Sequence, residues 1–143
     1  MQRISFKMAA LAFALAQSAQ AMAGDIAVVV AASSPAGAIT AAQASDVFLG
    51  KNATLPGAGK MIPVDQAEGA SAREEFYNKV ASKSGAQMKA YWAKQIFTGT
   101  ITPPKAVGDN AGVKAAVAKT PNTIGYIDKS AVDGSVKVLV ELK

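Results

Sequence analysis

Histidine and cysteine are both missing from the chain's 143 residues. Their absence removes Ser-His and Cys-His nucleophile pairs, disulfides, the usual zinc ligand sets and the lipid-modified cysteine that tethers many exported proteins. Most hydrolase mechanisms go with them, so no enzyme is expected, no catalytic residue is assigned, and neither metal nor cofactor is implied. Aromatic residues make up only 6% and include a single tryptophan; Tyr91 and Trp92 could in principle form a platform for a sugar or a base, but their helical spacing with Met88 and Ile96 favours a place in the core. No apolar run approaches the ~18 residues of a membrane span. The acidic neighbours Glu74 and Glu75 point about 100° apart on a predicted helix, so they complement its dipole rather than share a catalytic site.

What is present begins with a leader. Arg3 and Lys7 precede the short apolar run MAALAFALA at residues 8–16, and Ala21-Met22-Ala23 offers a small-x-small cleavage site. This is the pattern of a secretory signal peptide over residues 1–23. The expected mature chain, residues 24–143, is one domain's worth, soluble, unanchored and exported to a periplasm. Without Arg3 and Lys7 the formal net charge falls from +5 to +3. The remaining lysines are scattered from Lys51 to Lys143, which argues for a solvated surface and against a nucleic-acid partner.

Along the mature chain, IAVVVA at residues 26–31 predicts a buried strand. Thr40 and Gln43 fit a capping box opening a helix of about ten residues that Gly50 can stop. GAGK, residues 57–60, fails the phosphate-loop pattern at both Thr54 and Met61 and is a turn. MIPV, residues 61–64, predicts a second strand, with Pro63 at a sheet edge or strand end. A second capping-box match makes Ser71 the expected N-cap of a helix carrying Ala72, Phe76 and Val80. A third helix is predicted from about residue 86 to 97, burying Met88, Tyr91, Trp92 and Ile96, and Asp109 or Asn110 caps a fourth. Two strands close the chain, TIGYID and VKVLVEL, separated by the Asp133-Gly134 turn. The order predicts an α/β fold, a mixed sheet of about 4–5 strands flanked by about 4 helices.

DQAEGASAREEF, residues 65–76, runs small residues straight into a helix. Exposed N–H groups at such a start attract anions, and Arg73 could add a fork of donors. The ligand-binding candidates are therefore Gly69, Ala70, Ser71, Ala72 and Arg73. Against them stand Glu68, Glu74 and Glu75, which compete for the same positive pole; a purely structural cap is the competing reading.

ITAAQASDVFLGK, PVDQAEGASAREEFYNKV, YWAKQIFTG with TPPKAVG, and TIGYIDKSAV together resemble the phosphate-type substrate-binding proteins of ABC uptake systems, most of all their short single-lobe exported relatives. The resemblance implies one lobe of the type II periplasmic binding protein fold, an oxyanion held at helix N-termini, and delivery to a membrane permease without catalysis. The chain is short for two lobes. Its loop also departs from the family's R-x-D-G-S-G-T: placed on Gly69, that pattern gives Gln66 for the arginine, Glu68 for the aspartate, Ala70 for the serine, Ser71 for the glycine and Ala72 for the threonine. Ser71 and Arg73, one step away, are the substitutes at hand.

Two functions follow as expectations. One is an exported solute-binding-type protein with weak or altered binding of a phosphate-like oxyanion; a homodimer apposing two lobes could then close the cleft. The other is a ligand-free periplasmic interaction module that docks on a membrane sensor or transporter.

Overall fold

The computed structural model describes residues 25–99 and 101–143. The expected signal peptide lies outside them. Strand β1 (Ile26–Ala31) is buried at every position, as a β-branched run without alternating polar residues demands. It takes antiparallel partners on both edges, β6 (Thr123–Asp128) and β7 (Val136–Leu142). Beyond β6 the sheet continues in parallel through β4 (Ile62–Asp65) to the two-residue β5 (Lys105–Ala106), giving the order β5-β4-β6-β1-β7. A separate two-strand ribbon, β2 (Thr54–Leu55) and β3 (Gly59–Lys60), flanks the turn around Gly57.

Alternate residues of β1 feed two cores. Ile26, Val28 and Val30 meet helices α1 (Ala41–Phe48), α2 (Ser71–Ala81) and α3 (Gly85–Phe97) through Phe48, Phe76, Tyr77, Met88 and Trp92. Ala27 and Val29 meet Val113 and Val117 of α4 (Asn110–Lys119) on the opposite face. The strand period of two thus makes a helix-sheet-helix sandwich. Among the described residues, four α-helices flank a mixed sheet of five strands, as predicted.

Several local expectations change. The closing strands do not pair with each other, because β1 lies between them; a strand that is apolar on both faces belongs in the sheet interior, and the segment 129–135 crosses over it. Ser71 is not the N-cap of α2. Ala70 holds that position with no side-chain cap, and Glu74, the expected partner in the box, instead accepts the N–H of Gly85 at 2.8 Å. The Ser84-Gln87 pair, unremarked in the sequence, forms a full capping box on α3. Of the expected α3 stripe, Met88 and Trp92 are buried and Tyr91 is half-buried, but Ile96 is 59% exposed and Phe97 is 92% exposed. The last turn of the helix thus leaves the core that Met88 and Trp92 join.

Other expectations stand. Thr40 and Gln43 form their box, Gly50 turns left-handed after α1 at φ 75°, and Asp109 caps α4 by accepting the Gly112 N–H. Pro63 sits where β4 is paired on one side alone, since β5 joins only at Val64 and Asp65. The outer edge of β7 is guarded: its register slips at Leu139, whose carbonyl accepts the Ile39 N–H at 3.1 Å.

Candidate functional site

Because β4 and β6 are parallel, their carboxyl ends, Asp65 and Asp128, emerge on the same side of the sheet. Helix α2 starts a short loop after Asp65, and α4 ends its own first turn against β6: Asn110 Oδ1 accepts the Asp128 N–H at 3.1 Å and Asn110 Nδ2 donates to Asp128 Oδ2 at 2.7 Å. Two helix N-termini therefore converge beyond the strand ends, the place where open α/β sheets hold ligands.

Asp65 organises this end. It is 3% exposed, and both oxygens are engaged. Oδ1 accepts the Gln66 N–H at 2.8 Å and the Tyr126 hydroxyl; Oδ2 accepts the Tyr77 hydroxyl at 2.8 Å. Arg73 Nε lies 3.8 Å from Oδ2, close enough for ionic attraction and too far for a hydrogen bond. The guanidinium carbon stands 5.9 Å from the centre of the Tyr77 ring, a cation–π distance. Burial raises both tyrosine pKa values far above the ordinary 10.0, and the Asp65 charge raises them further. The hydroxyls are therefore donors throughout the physiological range.

Gln66, which stands where the resembled pattern has its arginine, is 1% exposed. Its Nε2 donates to Asn110 Oδ1 at 2.9 Å and to the Tyr126 carbonyl at 3.0 Å, tying β4, β6 and α4 together. That side chain is committed to the fold. Glu68 is exposed and forms a surface ion pair with Lys89 at 3.8 Å.

The five candidate residues divide by direction. Gly69 is exposed at φ 89°, a left-handed geometry that favours glycine, and no atom crowds the space a Cβ would fill. Ala70 is half-buried, Ser71 exposed and Ala72 buried. The N–H groups of Arg73 and Glu74 turn back to the Ala70 carbonyl; those of Ser71 and Ala72 precede the first intrahelical bonds, and no side chain caps them. By contrast α1, α3 and α4 are capped by Thr40, Ser84 and Asp109. Arg73 turns inward along β4, its side chain 14% exposed and its Nε buried without a hydrogen-bond partner.

Sequence reasoning missed Asp65, Tyr77 and Tyr126 as a unit. One signal was legible: Asp65 and Gln66 follow directly on an apolar strand, where polar side chains must find buried partners. Their partners at Tyr126 and Asn110 are far along the chain and carry no local pattern. Tyr91 and Trp92 form no stacking platform, for Tyr91 donates to the Leu49 carbonyl at 2.9 Å and Trp92 is buried. Among the described residues, no helix is long and apolar enough to cross a membrane.

No family model and no curated protein matches the chain. Solved structures do. A candidate phosphate ABC transporter substrate-binding protein from Clostridium perfringens, solved with bound phosphate, superposes with a TM-score of 0.63 at 21% identity, over 82% of this chain and 45% of that one. An ABC-type phosphate transport receptor from Vibrio cholerae gives 0.64 at 19% identity, over 82% and 47%. PstS from Borrelia burgdorferi gives 0.54 at 12%, over 81% and 47%. At these identities the likeness is one of fold. The chain spans less than half the length of each structure and has the architecture of a single lobe of the periplasmic binding protein fold.

Proposed function

We propose that the chain is an exported, non-enzymatic solute-binding-type protein whose lobe, residues 24–143, follows a signal peptide at residues 1–23 and holds a small phosphate-like oxyanion weakly in the periplasm. The ligand sits on the uncapped first turn of α2, against the backbone of Gly69, Ala70, Ser71 and Ala72, with Arg73 as the nearest cation. The observation that carries this reading is the free pair of amides at Ser71 and Ala72, beyond the carboxyl end of a parallel strand, on a helix that no side chain caps. The fold likeness supports it, and one of the similar proteins was solved with phosphate.

Affinity follows from what one lobe can offer. If a complete clamshell binds at micromolar strength, about −8 kcal/mol, half its contacts give about −4 kcal/mol, or millimolar. A second copy apposing its own lobe, or a permease at the membrane, would complete the cleft. Titration calorimetry of residues 24–143 with phosphate at low ionic strength is expected to show saturable millimolar binding that Arg73→Ala weakens. Absence of heat at tens of millimolar phosphate, about tenfold above that Kd, contradicts the reading.

A second reading draws on a separate observation. Phe97 is 92% exposed beside Ile96 at the end of α3, an apolar tip suited to contact with a membrane sensor or transporter. A ligand-free docking module would show no anion binding in wild type or in Arg73→Ala.

A further inference from the structure

We infer that Asp65 is an internal counter-ion that occupies Arg73 and thereby sets the affinity of the α2 loop for anions; the inference rests on the proposed oxyanion site. Three donors pin the Asp65 carboxylate: the Gln66 N–H and the hydroxyls of Tyr126 and Tyr77. Its Oδ2 therefore faces Arg73 at a fixed 3.8 Å. A helical side chain leans toward the helix N-terminus, which carries Arg73 back along the end of β4, and the Tyr77 ring holds its guanidinium there.

The contact is half complete. At 3.8 Å the charge of Arg73 is compensated, yet the Nε hydrogen-bonding capacity is unspent, since that atom is buried without a partner. That donor is sealed from solvent, so an oxyanion at Ser71 and Ala72 gains it only if the Arg73 side chain turns outward from Asp65. The Asp65 carboxylate opposes that turn by holding the cation, and it repels the anion in a setting that screens poorly. The carboxylate thus does from inside what a bound anion would do from outside. This accounts for a loop that keeps a cation and an open helix start while the cation points away from solvent.

Asp65→Asn preserves the shape of the side chain and removes its charge. The Tyr126 hydroxyl can still donate to the amide oxygen, and the Tyr77 hydroxyl can turn to accept from the amide nitrogen. With inorganic phosphate as the probe, the expected result is binding about tenfold tighter than wild type, with the gain abolished in Asp65→Asn/Arg73→Gln. Tyr77→Phe provides a test of opposite sign that keeps the carboxylate: freed of that hydroxyl, Oδ2 can close on Arg73, and phosphate binding is expected to weaken severalfold. This second variant decides the matter should Asp65→Asn fail to fold by circular dichroism.

The outcomes separate the two claims. Wild-type binding that Asp65→Asn leaves unchanged or weakens overturns the inference and leaves the proposed function standing. A silent wild type with Arg73-dependent binding in Asp65→Asn upholds the inference and overturns solute binding by the natural protein. Silence in both, or stronger binding in Tyr77→Phe, overturns the inference.

Discussion

Glu74 and Gly85 join two helices: the carboxylate of one, in the first turn of α2, accepts the first N–H of α3 at 2.8 Å. A Cβ on Gly85 would lie 2.0 Å from Glu74 Oε1, so the contact exists because position 85 lacks a side chain. Glu74→Ala is expected to cost about 1 kcal/mol, the worth of a helix cap. Gly85→Ala should cost less in the Glu74→Ala background than in wild type, since the clash and the bond disappear together. Urea denaturation of the four proteins measures the coupling; additive costs would dissolve the pair.

Tyr126 stacks on Phe76 with ring centres 3.9 Å apart and planes within 3°, while its hydroxyl donates to Asp65 and accepts the Gln66 N–H. Tyr126→Phe keeps the ring contact and deletes the polar one. Loss of about 1–3 kcal/mol in urea unfolding is expected, because buried partners are left short of a bond. An unchanged midpoint would mean that the hydroxyl contributes nothing net.

Alkaline pH should unfold the protein from the same place. Burial first, and the Asp65 charge second, raise the pKa values of Tyr77 and Tyr126 above the unfolded value of 10.0. A folded-state pKa above the unfolded one gives stability that is fully present below pH 10 and lost as pH rises beyond it, because only the unfolded chain releases those protons. The melting temperature should fall above about pH 10, and tyrosinate absorbance from these two rings should grow only as the circular dichroism signal is lost. Ionisation of all three tyrosines in the folded protein would contradict this.

Gly125, in the centre of β6, has Val113 Cγ1 at 2.4 Å and Val117 Cγ2 and Val64 Cγ2 at 3.2 Å from the site of a Cβ. Gly125→Ala is therefore expected to lift α4 from the sheet and cost about 1–3 kcal/mol or more by overpacking. The same substitution at Gly134, where nothing lies within 4 Å, is the control and should change stability by less than about 0.5 kcal/mol.

The layered architecture was legible because it follows from local pattern. Strand β1 announced its place by being apolar at every position, and the Thr40 box and Gly50 marked both ends of α1 by chemistry confined to neighbours. Ser71 misled for a physical reason: Glu74 had a better use for its carboxylate on Gly85, eleven positions along the chain, and a capping-box pattern cannot see that competitor. The candidate loop was placed correctly on a helix start, but its electrostatics were not legible. Arg73 looked like a fork of donors for an anion at the loop, and what turns it inward is Asp65, held by hydroxyls from α2 and β6 that only tertiary packing brings together. Gln66 tells the same story, since its partners Asn110 and Tyr126 lie 44 and 60 positions away.

The most direct test of the account is a phosphate titration of the 15N-labelled protein followed by amide NMR. Saturable shifts centred on Gly69, Ser71, Ala72 and Arg73, with a Kd in the millimolar range, are the predicted result. Shifts confined to the scattered lysines, or no saturable shift at all, would contradict it.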